Sequence, residues 1–240
     1  MPREHGAWGM LLVPFATAVA ISGVFDAKVA LLLASTLSFY IARASWLRRR
    51  WKWTALLLAG SLVTAAPLFL AWRLWWLAAF AGIAAALAVQ PTRRGLAMQL
   101  AAVAGLTLTA PSAWYAATGR LDATAFWLWL WNALYFVGGL LYVRMRVEAA
   151  ARRVPLESLA ARMRFGAPVL GFFCVLTLFL LALVAGGVVS CRTLSAFVPA
   201  VARAAFGVGR LAPQLSIKRL GWTEVAHSIL FGALLTMAMR

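Results

Sequence analysis

Nine apolar runs, each near the length of a membrane span, constrain this chain more than anything else in it. They are Ala7–Val24, Val29–Trp46, Thr54–Ala71, Leu74–Gln90, Leu96–Thr118, Thr124–Val143, Ala167–Gly187, Ser195–Leu211 and Trp222–Met239. About 20 apolar residues in a row suffice for a helix to cross the hydrocarbon core. Inside lipid a helix closes its own backbone hydrogen bonds, which an open strand cannot do. The composition agrees, being 64% hydrophobic and only 12% charged over 240 residues. A soluble domain could not cover that much apolar surface. The sequence therefore predicts an all-α, polytopic membrane protein of nine transmembrane helices. Its one transmembrane domain spans 1–240, with short connections between mostly antiparallel neighbours. Met1–His5 carries an acid and leads straight into a helix without a small-residue cleavage site, so no cleaved signal is expected.

Charge gives the orientation. With the N-terminus in the cytoplasm, 17 of the 23 basic residues fall on the cytoplasmic side and five outside. That bias predicts N-inside and C-outside. The eighth run is the weakest, because it contains Pro199 and Arg203, and an arginine at mid-membrane costs at least about 2.5 kcal/mol. Removing it as a span would undo the charge bias, so it is kept. The net charge of +17 is spread over several loops without a nucleic-acid-binding motif; positive-inside topology and attraction to anionic lipid account for it. No nucleic-acid partner is expected. Cys174 and Cys191 are too far apart along a helix for a disulfide and have no metal-type spacing.

A repeated motif points to internal symmetry. Residues 39–50 read FYIARASWLRRR and residues 135–146 read YFVGGLLYVRMR. Both have two aromatics, a β-branched and a small residue, an aromatic at the eighth position, and arginines at the tenth and twelfth. Each copy is expected to end an apolar run and begin a basic loop. This predicts two parallel halves, roughly 1–118 and 119–240, related by a pseudo-twofold axis along the membrane normal. A cytoplasm-facing cavity between them would be lined by Tyr40, Arg48, Tyr135, Tyr142 and Arg144. Asn132, one turn before Tyr135, either joins that cavity or bonds between helices. The segment Val154–Phe165 is expected to form a short amphipathic helix, lying on the membrane or capping the cavity.

Acids and histidines are scarce, and two pairs stand out. Glu4–His5 precedes the first run; Glu224 and His227 stand three apart at the start of the last, on one helix face. If the first and last helices are neighbours, the four converge. They would then satisfy helix ends, or handle protons or substrate as catalytic candidates. Glu-x-x-His is also a ligand spacing of carboxylate-bridged metal sites, but two residues specify no ion, and neither metal nor cofactor is expected.

The opening PREHGAWGMLLVPF and the closing RLGWTEVAHSILFGALL resemble the YwiC-like family of bacterial membrane proteins. The opening motif singles out Glu4, His5, Gly6, Ala7 and Trp8. The resemblance implies a bacterial inner-membrane protein and supplies no reaction. In architecture the chain is also similar to the UbiA superfamily of intramembrane prenyltransferases. That similarity implies aspartate-rich, magnesium-diphosphate-binding motifs after helices two and six. This chain has Arg43, Arg48–Arg50, Arg144 and Arg146 there instead. Arginine offers magnesium no ligand oxygen but can hold an anion in bidentate fashion. Two functions follow as expectations. One is a cavity binding an anionic, isoprenoid-like amphipathic lipid, with or without transferase chemistry. The other is a small transporter or respiratory accessory protein relaying protons through the Glu–His pairs. The sequence leaves oligomeric state open.

Overall fold

A computed structural model describes residues 5–89, 95–152, 158–211 and 216–240. Ten helices and no strand occur among the described residues: α1 (His5–Ser22), α2 (Ala27–Leu47), α3 (Trp51–Leu70), α4 (Trp76–Val89), α5 (Leu96–Thr107), α6 (Thr109–Thr118), α7 (Ala123–Arg152), α8 (Leu159–Ala185), α9 (Arg192–Gly209) and α10 (Ile217–Met239). Six helical stretches are long and apolar enough to cross a membrane: α2, α3, Leu96–Thr118, Ala123–Ala151, α8 and Lys218–Met239. Shorter apolar helix covers Ala7–Ser22 and Trp76–Ala86. The chain is built as a multi-pass membrane protein.

Three departures from the sequence reading have physical causes. The fifth run is two helices, α5 and α6, interrupted at Leu108. Pro111 has no N–H to offer the carbonyl four residues back, at Thr107, and the Thr107 hydroxyl bonds to the carbonyls of Val103 and Ala104. The second copy of the repeated motif does not end its helix. α2 stops at Leu47, and Arg49 takes the left-handed backbone at φ 54°, but α7 runs on to Arg152. VEAAAR holds no glycine or proline and is rich in helix formers, and Met145 and Ala149 are buried. Residues 159–165 belong to α8, capped by the Ser158 hydroxyl accepting from the Ala161 N–H, and form no separate amphipathic helix; Val154–Glu157 lie outside the described residues.

The helices form two compact units: residues 14–129, and residues 5–13 with 130–240. The division falls within α1, before Pro14, and within α7, after Trp129.

In the first unit, α2 and α3 form a hairpin closed by two serines. Ser35 Oγ donates to the Ser61 carbonyl, and Ser61 Oγ donates to the Ser35 carbonyl, both at 3.0 Å. α2 begins at Asp26, whose carboxylate accepts from the Val29 N–H. Trp129, on the first part of α7, donates its indole N–H to the Ala104 carbonyl of α5.

In the second unit, glycines set the spacing. A methyl group added at Gly138 of α7 would stand 2.6 Å from the Phe173 ring of α8, and one at Gly166 of α8 would stand 2.6 Å from the Val208 methyls of α9. Gly207 of α9 lies against the Tyr142 ring of α7. Small residues at these crossings let the backbones approach closely, as membrane helix interfaces require. α9 is amphipathic: Thr193, Ala196, Phe197, Ala200, Ala204 and Val208 are buried along one face, while Val198 and Phe206 face out. This is why the eighth run looks weaker as a span than its neighbours.

Candidate functional site

The second unit brings together polar groups that the sequence scatters. Arg203 stands six residues before the end of α9, and Glu224 seven after the start of α10. At about 1.5 Å per residue both lie roughly 10 Å in from their helix ends, so the antiparallel pair meets at one depth. Arg203 Nη1 donates to Glu224 Oε2 at 2.5 Å, with side chains only 8% and 16% exposed. The Arg203 guanidinium also lies 4.8 Å from the centre of the Tyr142 ring, a cation–π contact that holds its plane.

The remaining polar atoms of this cluster are the informative ones. Arg203 Nε and Nη2, Glu224 Oε1 and the Tyr135 hydroxyl are buried and have no hydrogen-bond partner among the described residues. Such a group costs on the order of 1–3 kcal/mol when left unmade, more when charged. Four in one place need an explanation.

Beside them lies a cavity of about 130 Å³, lined by Tyr135, Phe136, Gly139, Leu140 and Val143 of α7, Glu224, Val225 and Ser228 of α10, and Gly9 and Met10 of α1. Gly139 shapes it. A Cβ there would lie 3.5 Å from Glu224 Oε2 and 3.9 Å from Arg203 Nη2, in ordinary contact with both. Glu224 itself lines the cavity, and Arg203, hydrogen-bonded to it, stands outside the lining, with Nη2 nearest at the Gly139 position. An aromatic wall supports Tyr135: its ring stacks on Phe231 at 4.0 Å, Phe231 meets Phe197 at 5.3 Å, and Phe197 meets Trp131 at 6.1 Å.

Of the residues the sequence selected, Tyr135, Tyr142 and Glu224 join this cluster. Asn132 is fully buried on α7 one turn from Tyr135. His227 is half-buried one turn after Glu224, its Nδ1 turned back to the Thr223 carbonyl of its own helix at 2.7 Å. Adjacency of the first and last helices is met: a Cβ on Gly9 would sit 3.3 Å from Ser228 Oγ. Glu4 and the His5 side chain lie outside the described residues. Arg144 is exposed on α7 beyond the cluster, while Tyr40, buried, and Arg48, exposed, belong to α2 in the first unit. Among the described residues no three His, Cys, Asp or Glu side chains group as metal ligands.

Sequence reasoning passed over Arg203 as a topological cost. Its signal was available, since an arginine inside an apolar run marks function by default. Gly139 and Ser228 carried no such signal.

A larger cavity, about 440 Å³, lies in the first unit among Phe80, Ile83, Ala104, Leu108, Phe126 and Trp129, with Asp122 at its edge. Its polar groups are engaged: Asp122 accepts from the Ala125 N–H and Trp129 donates to Ala104. The smaller cavity is the one with chemistry to offer.

The family model described as YwiC-like protein matches residues 1–114. Residues 1–114 are similar to that family. The match covers the opening motif and α1 to α5, together with the start of α6. The polar cluster draws on the YwiC-like stretch only through Gly9 and Met10. No curated protein and no solved structure matches the chain.

Proposed function

We propose that this membrane protein binds the polar head of an amphipathic lipid within the membrane, at Arg203, Glu224 and Tyr135. The observation that carries the reading is the set of buried, unpartnered polar atoms on Tyr135 and Glu224, which line one cavity, and on Arg203, which is bonded to Glu224 next to Gly139. Phe136, Leu140, Val143 and Val225 give the same cavity apolar walls for the lipid body. The orientation in this reading is N-inside, in a bacterial inner membrane, with nine spans, as the charge bias favours. The exposed Arg48 and Arg144 then face anionic head groups at the cytoplasmic surface, Arg48 one residue past the end of the helix that carries Tyr40.

Native mass spectrometry of the purified protein tests the reading. The wild type retains a bound amphiphile, and Gly139→Ala loses it while melting at the same temperature. Equal retention by both proteins would remove the pocket from consideration. Turnover of the lipid, as in a divergent UbiA-like transferase, would show as a change in mass of the bound species with time.

His227, one turn from Glu224, favours a second reading in which the two relay protons for a small transporter or accessory protein. His227→Gln would then slow proton uptake into proteoliposomes while leaving lipid retention intact.

A further inference from the structure

The open atoms of the cluster have a sense as well as a number. Arg203 Nε and Nη2 can only donate, and ionised Glu224 Oε1 can only accept. The Tyr135 hydroxyl does either. Donors on one side and an acceptor on the other ask for a ligand with both kinds of group. A fully ionised phosphate ester offers acceptors alone and would leave Glu224 Oε1 bare; an ammonium offers donors alone and would leave Arg203 bare. Charge argues the same way. Arg203 and Glu224 already neutralise one another, so a charged head would add an uncompensated ion about 10 Å inside the helix ends, at a depth where that is costly.

Resting on the reading above, we propose that the head group is uncharged and carries an acceptor oxygen and a donor O–H or N–H close together, as in a carboxamide or a hydroxy ketone. The acceptor takes Arg203 Nη2, which stands 3.9 Å from where a Gly139 Cβ would be, and the donor goes to Glu224 Oε1. Size agrees: the cavity of about 130 Å³ equals roughly four waters at their liquid share of about 30 Å³ each. That is room for a few heavy atoms, with the alkyl body continuing along Leu140, Val143 and Val225.

The test uses the full chain in lipid nanodiscs, with radiolabelled dodecanamide as probe and protein-free nanodiscs as the blank. Dodecanamide should bind saturably and be displaced by 1-hydroxytridecan-2-one, but not by equal concentrations of dodecyl phosphate or dodecylamine. Gly139→Ala should weaken binding by at least about tenfold, the scale of one lost charge-assisted hydrogen bond. Gly171→Ala, whose new methyl meets nothing within 4 Å, should leave it unchanged. If Gly139→Ala folds poorly, Val143→Phe fills the cavity from another wall and should act alike. Displacement by dodecyl phosphate or dodecylamine as strong as by the hydroxy ketone would overturn the uncharged class while leaving the pocket in place. If none of the three amphiphile types binds in a way that either filling variant weakens, the pocket reading fails as well.

Discussion

The α2–α3 hairpin and the α9–α10 pair both place polar side chains between membrane helices, and they settle them in opposite ways. At Ser35 and Ser61 each hydroxyl reaches the other helix's carbonyl, and the two hydroxyls lie 3.1 Å apart. That pair is closed and asks for nothing from outside. At Arg203 and Glu224 one hydrogen bond is made and three buried polar atoms of the same two residues are left over. A polar pair in a bilayer is thus no evidence of function by its presence. The evidence is what remains after its bonds are counted.

The largest effect should come from breaking the open pair. Arg203→Ala or Glu224→Ala leaves a buried charge alone, at a cost of about 3–5 kcal/mol. Yield and melting temperature in detergent should fall sharply for each. Arg203→Met combined with Glu224→Leu should recover most of the loss while abolishing lipid retention. A double variant as unstable as the singles would mean that the charges, rather than their compensation, hold α9 to α10.

Next in size are the helix crossings. Gly166→Ala drives a methyl into Val208, which is fully buried, and should cost about 1–3 kcal/mol by overpacking. Gly60→Ala on α3 meets open space and should be neutral or slightly stabilising, since alanine is the better helix former by about 1 kcal/mol. Similar melting shifts for the two would show that the second unit is packed no more tightly at its glycines than the hairpin is.

The closed pair should matter less. Ser35→Ala and Ser61→Ala should each cost roughly 0.6 kcal/mol, the average for a hydrogen bond between membrane helices, and neither should alter lipid retention. A loss as large as that of Arg203→Ala would erase the contrast between the regions.

The smallest effect lies at the start of α2. Burial raises the Asp26 pKa, but the Val29 N–H and Lys28 outweigh it and hold the carboxyl below its ordinary value. A carboxylate depressed in the folded state stabilises above its unfolded pKa, and that contribution fades as pH falls through the folded value. Asp26→Ala should therefore lower the melting temperature slightly at neutral pH and hardly at all in strong acid. A pH-independent difference would assign the effect to helix propensity instead of the cap.

Helices were legible because apolar length is a one-dimensional property. Interruptions were less so: Pro111 at the α5–α6 break could be read, but tolerated prolines also occur inside α1, α3, α8 and α9. The second arginine motif misled because positive charge was read as a stop signal, whereas a helix stops where backbone or packing stops it. Glu224, Tyr135 and Tyr142 were named from type and spacing. Arg203 was seen but explained away by the charge rule, and Gly139 was out of reach, since its contribution is the side chain it lacks and depends on which helices face it.

The unbroken course of α7 has a mechanical consequence. Its 30 residues make a rod of about 45 Å, against a hydrocarbon layer of about 30 Å. Some ten residues of it must stand in or beyond the head-group layer, and Arg144, Arg146 and Glu148 sit toward that end. Tyr135 lies near the middle of the rod. When a thinner bilayer forces a rod to lean, its ends sweep sideways while its middle scarcely moves. Changes in membrane thickness would thus be felt at the charged end of α7 well before they disturb the hydroxyl of Tyr135.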